Sequence, residues 1–448
     1  MTVLERSTLA LLADALNQLD AGFANLPDFQ AEVPAADRMA SILSETAARL
    51  CDNYPYFHPL YAGQMLKPPH PIARAAYALA TWINPNNHAL DGGRASSAME
   101  KEAVAEIAAM FGWTEHLGHL TGGGTMANLE ALWVAGQIQP GKKILASEQS
   151  HYTHERICGV LGMPFAKCAT DRQGRMDCAA LEEHAARGDL GCVVVTLGTT
   201  AVGAVDPLPE IFRLRDRYGF RVHVDSAYGG YFGLADNLAD PARAAFDSIA
   251  GADSIVVDPH KHGLQPYGCG CVLFRDPGVA ALYRHHSPYT YFSSTDLHLG
   301  EISLECSRPG AAAVALWTTQ RLLPLVRGGE FANGLSASRR AALRLTSTLR
   351  ADRRFVVPFE PELDILVWAL RARSASAASA ASQWIFDEAA KRQLHLALAQ
   401  LPVSFFVDAW PELEKDQDYV LSLRSVLMKP EHELWIDEIV TRLNSVFT

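Results

Sequence analysis

The sequence predicts an α/β fold with a mainly parallel sheet sandwiched by helices, and three observations carry that prediction. Between residues 143 and 275, short runs rich in Val, Ile and Leu alternate with stretches of helical periodicity. The runs at 143–146, 163–169, 192–197, 221–224 and 255–257 are nearly continuous in apolar residues, the pattern of strands buried on both faces. Residues with chemical potential fall just past such runs: the loop after Leu120, then Thr200, Asp225 and Lys261. Open parallel sheets bind ligands beyond those strand ends.

A chain of 448 residues exceeds one compact core and fits a large body with a smaller one. The predicted divisions are a helical arm over 1–60, a large ligand-binding domain over 61–328 and a small C-terminal α+β domain over 329–448. A hydrophobic content of 49% with 20% charged residues excludes a chain dominated by disorder. The net charge of −11, without a long basic run, argues against nucleic acid or an anionic membrane as partner. No apolar run reaches membrane-spanning length, and the start carries acids and helical periodicity in place of a signal peptide. Eight scattered cysteines with no CxxC pair predict reduced thiols, a cytoplasmic location and no metal.

Taken in order, residues 1–50 read as two amphipathic helices without a core of their own, suited to packing on another surface such as a second subunit. The stretch 52–71, rich in Pro and aromatics, reads equally as a covering loop or as a pocket wall. Helical periodicity starts at Pro71, breaks at Asn84-Pro85-Asn86-Asn87 and resumes over 97–111. HLTGGGTMANLEALWV, at 119–134, is a glycine-rich loop opening a helix. Free N–H groups and the dipole at such a start make a phosphate seat, although many are only tight turns. It is neither a Walker loop nor a GxGxxG fingerprint. Helices over 151–161, 177–187 with Asp177 as N-cap, 206–218 and 241–250 separate the strands that follow. The segment 254–275, SIVVDPHKHGLQPYGCGCVLFR, reads as strand–turn–strand with Lys261 at its tip between His260 and His262. Cys269 and Cys271 share one face there and read as packing. Beyond 310, long helices lead to antiparallel strands, a Ser/Ala-rich helix at 375–393 and a closing helix at 431–446.

Most lysines are solvated points on a surface, but one held at a strand end between imidazoles is placed to form a Schiff base. If the carbonyl belongs to pyridoxal 5'-phosphate, three more parts are needed: a phosphate seat, an acid at the pyridine nitrogen and a group holding the ring. Gly124 and Thr125 suit the first, Asp225 the second, and His151 can stack on the ring. Asp225 has a bland reading as a helix cap. His151 and His154 have a rival reading as a metal pair, but no third ligand falls at a telling spacing.

TGGGTMANLEAL, SEQSH, TLGTTAVGAVD, RVHVDSAYGG and DPHKHG occur in the order found in the group II pyridoxal-phosphate amino-acid decarboxylases. Over about residues 55–445 the chain resembles that family, which includes glutamate, aromatic-amino-acid, tyrosine and aspartate decarboxylases. The resemblance implies the fold-type I, aspartate-aminotransferase-like architecture and a homodimer with active sites at the interface. It implies that Lys261 is the Schiff-base lysine with His260 as its neighbour, and that Asp225 partners the ring nitrogen. Ala227 then packs under the ring, His151 stacks on it, Thr200 lies near the phenolic oxygen, and Gly124 and Thr125 seat the phosphate. LRSVLMKP places Arg424 where the glutamate-decarboxylase branch binds the substrate carboxylate. His88 and Tyr61 are further substrate-binding candidates. The general acid implied is a tyrosine on a loop from the partner subunit, Tyr291 ahead of Tyr289, whose alternative use is aromatic packing.

The chain departs from the family pattern in three places. Asp258 stands where aromatic decarboxylases often carry Asn, and a carboxylate there would repel a phosphate. The segment 291–308 is short. The stretch 54–61 offers aromatics but no arginine, leaving His58, Lys67, Arg74 and His88 as nearby basic groups, which favours an aromatic or otherwise non-acidic substrate side chain. The expected function is decarboxylation of an L-amino acid to its amine and CO2. The alternatives are an acidic-amino-acid decarboxylase, a carbon–carbon lyase or aldehyde synthase on the same scaffold, and a catalytically silent cofactor-binding scaffold.

Overall fold

The computed structural model describes residues 4–27, 29, 32–33, 35–284 and 297–448. The apolar runs form a seven-stranded sheet from β1 (Leu117–Thr121), β2 (Lys143–Ser147), β3 (Phe165–Cys168), β4 (Leu190–Thr196), β5 (Arg221–Asp225), β6 (Ser254–Val257) and β7 (Gly270–Phe274). Their order is β1-β7-β6-β5-β4-β2-β3. Neighbours among β3, β2, β4, β5 and β6 are parallel, and β7 is reversed, antiparallel to both β6 and β1. Continuous apolarity is what two covered faces require. Val193 and Val195 of β4 join the cluster of Leu208, Ile211 and Phe246, while Val194 joins Leu132 and Ile157 on the other face. All three valines are fully buried, each favouring the fold by about 1.5–3 kcal/mol over exposure. This is the helix-covered parallel sheet that the sequence predicts.

The 254–275 segment is the expected strand–turn–strand: β6 and β7 pair antiparallel, with 258–269 as the connection. Cys269 and Cys271 both pack in the main core. Asp177 caps helix Cys178–Ala185, accepting the N–H groups of Ala179 and Ala180 at 2.8 and 3.3 Å. One helix differs from expectation. It runs Leu90–Met110 and bends at Gly93, where φ is −167° and ψ 61°. A Cβ at Gly93 would lie 2.8 Å from Asn87 Oδ1 and 2.6 Å from Ser96 Oγ. The helix thus begins ahead of the expected 97, and the missing side chain at Gly93 lets it pack on the 84–87 turn.

A second, antiparallel sheet comprises β8 (Phe355–Val356), β9 (Ile365–Leu370), β10 (Ala397–Pro402) and β11 (Tyr419–Val426), in the order β10-β11-β9-β8. One face packs Leu366, Trp368 and Leu423 against Leu345, Ile385 and Ile439 of helices Glu330–Ala351, Ala375–Lys391 and His432–Asn444. The other face packs Val367 and Val420 against Val202 and Ala204 in the loop after β4. That contact ties the small sheet to the strand ends of the large one. Helices Thr8–Ala21 and Ala36–Leu50 bury none of their residues, and Leu9, Leu11, Ile42 and Leu43 stand exposed.

Candidate active site

A cleft of about 560 Å³ opens at the carboxyl ends of β4, β5 and β6. Lys261, His260, Asp225 and Ala227 line it, together with Gly124, Thr125, His151 and Thr200. Eight residues expected from five separate stretches of chain are thus brought to one space.

Lys261 is fixed by its turn. Its N–H donates to Asp258 O at 2.9 Å, the His260 N–H to Cys269 O at 3.1 Å and the Gln265 N–H to Pro259 O at 3.1 Å. Its Nζ lies 3.0 Å from Asp258 Oδ2. Asp258 is 2% exposed and presses on the glycine loop, since a Cβ on Gly124 would lie 2.6 Å from its Oδ2. His262, which had no role in the sequence reading, anchors the turn from behind. Its ring packs edge-on to Tyr228 and Phe232 at 4.7 and 4.9 Å, and its Nε2 is 3.2 Å from Asp364 Oδ2, whose other oxygen accepts the Tyr228 hydroxyl at 2.6 Å.

Gly123 precedes helix Gly124–Ile138 at φ +149°, a conformation only glycine adopts freely, and a Cβ on Gly270 would lie 2.6 Å from its carbonyl carbon. Strand β7 therefore runs against the loop, and the first N–H groups of the helix face the cleft beside the exposed Thr125. The half-buried His151 accepts the Thr153 N–H at Nδ1, 3.3 Å away, which places its own proton on Nε2. Burial lowers its tendency to protonate.

Asp225 ends β5 with 4% exposure. Burial alone would push its carboxyl up. The His154 ring at 3.0 Å, the Ala227 N–H at 3.0 Å and the Lys261 charge together hold it well below the usual carboxylate range. An ionised, buried carboxylate bordering the cleft suits a protonated ring nitrogen. With the helix start, the lysine and the imidazole, the residues fit pyridoxal phosphate. Among the described residues, no group of three or more His, Cys, Asp or Glu is arranged to hold a metal.

Other expected residues stand outside this lining. Arg424 is buried on β11, where Nη1 donates to Gln64 Oε1 at 3.0 Å, and Nε and Nη2 have no hydrogen-bond partner among the described residues. Its charge is felt by Tyr228, which does line the cleft. The buried Tyr61 accepts the Gln64 N–H at 3.2 Å, and His88 packs against Gly300. Tyr289 and Tyr291 lie outside the described residues. Sequence reasoning read His154 only as a possible metal partner of His151, whereas it stands 3.0 Å from Asp225, and it missed Asn128 and His223 nearby, and Glu305, whose Oε2 accepts the Gly122 N–H at 2.9 Å at the cleft edge. His223 was findable: two residues before Asp225, it shares that residue's face of β5.

The reversed strand, the lysine hairpin and the acid ending β5 define a fold-type I pyridoxal-phosphate enzyme. Residues 130–371 match the family described as the pyridoxal-dependent decarboxylase conserved domain, and the chain belongs to that family. It is similar to the L-tyrosine decarboxylase of Enterococcus faecium, 29% identical over 425 residues, covering 72% of this chain and 69% of that protein. A probable L-tyrosine/L-aspartate decarboxylase of Methanothermobacter thermautotrophicus is 27% identical over 316 residues, covering 68% and 82% respectively. In fold it matches Oryza sativa TDC with PLP and tryptamine, at a TM-score of 0.79, 17% identity and full coverage of both chains. The protein is a pyridoxal-phosphate-dependent amino-acid decarboxylase, as its motifs imply.

Proposed function

We propose that this decarboxylase acts on an L-amino acid with an aromatic or otherwise non-acidic side chain, releasing the amine and CO2. The observation that supports the site is convergence: the Lys261 amine, the Asp225 carboxylate and the start of helix Gly124–Ile138 meet in one cleft from distant parts of the chain. When bound, pyridoxal phosphate supplies a ring that accepts the electron pair left as an α-carbon loses CO2. Lys261 provides the amine that holds the cofactor's carbonyl carbon. Asp225 keeps a proton at the ring nitrogen. The N–H groups of Gly124 and Thr125 with the Thr125 hydroxyl hold the phosphate, Ala227 and His151 confine the ring, and Thr200 serves its phenolic oxygen. His260 braces the turn, with Nδ1 2.7 Å from Cys269 O.

On the substrate side, Arg424, whose Nε and Nη2 have no hydrogen-bond partner among the described residues, is the group for the α-carboxylate and would turn the breaking bond perpendicular to the ring, a positioning effect. His88 and Tyr61 keep their place as substrate-side groups, and Tyr291 that of the acid returning a proton to the α-carbon. The aromatic preference draws on the relative named for tyrosine and on the ring cluster Tyr54, Tyr56 and Tyr61, with centroids 5.0–6.4 Å apart. Tyr267 joins the cleft to that segment through a bond to Met65 O at 3.2 Å. The reading keeps the arm at 1–60, the large domain at 61–328 and the small domain at 329–448. It also keeps a cytoplasmic homodimer, in line with eight free cysteines and two arm helices that bury nothing of themselves.

The test is turnover of a panel of L-amino acids by the cofactor-loaded protein, with CO2, amine, aldehyde and peroxide all measured. The expected result is amine and CO2 in equal amounts, fastest from an aromatic substrate. Aspartate or glutamate as the best substrate contradicts the side-chain assignment, and aldehyde with peroxide as the main product contradicts the proton return.

A further inference from the structure

Around Asp225 lies a buried polar chain built from four elements, and its Asn128 also borders the cleft. His154 on helix Thr153–Leu161, Asn128 on helix Gly124–Ile138, His223 on β5 and Ser254 on β6 are all buried, the two histidines completely. His154 Nε2 stands 3.0 Å from Asp225 Oδ2 and 3.3 Å from Asn128 Oδ1, so its one N–H lies between two acceptors. Asn128 Nδ2 donates to Gly124 O at 2.8 Å and faces Asp225 Oδ2 at 3.5 Å. That orientation makes Asn128 Oδ1 an acceptor, and His223 Nε2 meets it at 2.8 Å while His223 Nδ1 meets Ser254 Oγ at 2.8 Å. The His154 Nδ1 is buried and has no hydrogen-bond partner among the described residues. A proton there would find no acceptor among these groups, so the proton of His154 belongs on Nε2, between Asp225 Oδ2 and Asn128 Oδ1.

We propose that His154 is a positioning residue for this decarboxylase: its Nε2–H fixes Asp225 with an ionised oxygen turned to the cofactor's ring nitrogen. Asn128 links the same carboxylate to the Gly124 carbonyl, so one hydrogen-bonded chain registers the ring-nitrogen partner against the phosphate seat. The inference rests on the assignment of Asp225 to the ring nitrogen. The charged and titratable groups facing Asp225 are His154, His223, Lys261 and His151, and of these His154 is the nearest donor from outside the cleft. A histidine serving only to fill space would not need a carboxylate and an amide oxygen at one nitrogen.

The test loads wild type, His154→Leu and His154→Gln with pyridoxal phosphate labelled with nitrogen-15 in the ring. The ring-nitrogen shift, the cofactor dissociation constant and the melting of the cofactor-free proteins are then recorded. In His154→Leu the shift should move toward that of an unprotonated ring at a pH where wild type remains protonated. Its cofactor affinity should fall roughly tenfold to a hundredfold, the range of a charge-assisted hydrogen bond. His154→Gln, which can still donate, should recover both. A folded His154→Leu with wild-type shift and affinity overturns the proposal. If that variant does not fold, labelled histidine in wild type decides. His154 must then show a protonated Nε2 that shifts on cofactor entry, and an unprotonated or unresponsive Nε2 overturns the proposal. A wild-type chain that takes up no cofactor shows no ring signal at all and removes the Asp225 assignment together with this one.

Discussion

Asp258 sits between two demands. Its Oδ2 lies 3.0 Å from Lys261 Nζ, and it presses on Gly124 at the helix start proposed to hold a phosphate. The carboxylate holds the lysine amine, and it would oppose a phosphate seated at that helix start. Two like charges about 4 Å apart interact by about 4 kcal/mol at the effective dielectric of a protein surface, and an open cleft screens much of that. Asp258→Asn keeps the shape, releases Lys261 and removes the repulsion. Its affinity for pyridoxal phosphate should rise about twofold to fivefold in equilibrium dialysis, the size of a screened pair. Weaker binding would mean that Asp258 shares a proton with the phosphate instead. Lys261, Asp225 and His151 were legible in the sequence because their chemistry demands those residue types at strand ends. The partners of Asp225 were not, because hydrogen bonds between side chains on separate elements leave no local pattern. Asn128 shows a trace in hindsight, four residues after Gly124 and therefore on the same helix face.

At the scale of elements, the ends of β4 and β5 are held at the right height by backbone contact. A Cβ on Gly229, just past β5, would lie 2.1 Å from Leu197 O, just past β4, and one on Gly198 would lie 3.0 Å from Gly229 N. These two turns carry Thr200 and Asp225. Gly229→Ala must push them apart, and the expected cost is about 1–3 kcal/mol, read from the urea midpoint of the cofactor-free protein. An unchanged midpoint would show that the turns move independently. The strands of the large sheet were legible because burial on both faces leaves a continuous apolar run. The start of helix Leu90–Met110 was not, because glycine is a poor helix former, while the missing side chain at Gly93 is what permits the close packing. The turn 258–269 was legible as a turn, but its anchoring through His262 to Asp364 spans 102 positions and two sheets, beyond any periodicity.

Across the whole molecule, buried ionisable groups set the pH response. Burial pushes His223 and His432 down to about 3. Below about pH 6.5 the unfolded chain binds protons that the folded chain refuses, so stability falls as pH drops from there toward 3, by on the order of a few kcal/mol for each group. Asp206, pushed up to about 7 by burial, works in the opposite sense between about pH 4 and 7 and offsets part of that loss. The melting midpoint should therefore be lower at pH 5 than at pH 7, and Asp206→Asn should widen the gap; a narrower gap would contradict the assignment. The apolar stripes of helices Thr8–Ala21 and Ala36–Leu50 were legible, and they suit the dimer contact that we propose for the arm. If residues 1–50 build the dimer, sedimentation should give a dimer for the full chain and a smaller species after their removal. The central claim is that Lys261 carries the cofactor. Its direct test is an absorbance spectrum of the loaded protein, followed by borohydride reduction and peptide mapping. The account predicts visible or near-ultraviolet absorption and a single reduced pyridoxyl adduct on Lys261. A protein that stays colourless with added pyridoxal phosphate, or an adduct on a different lysine, would contradict it.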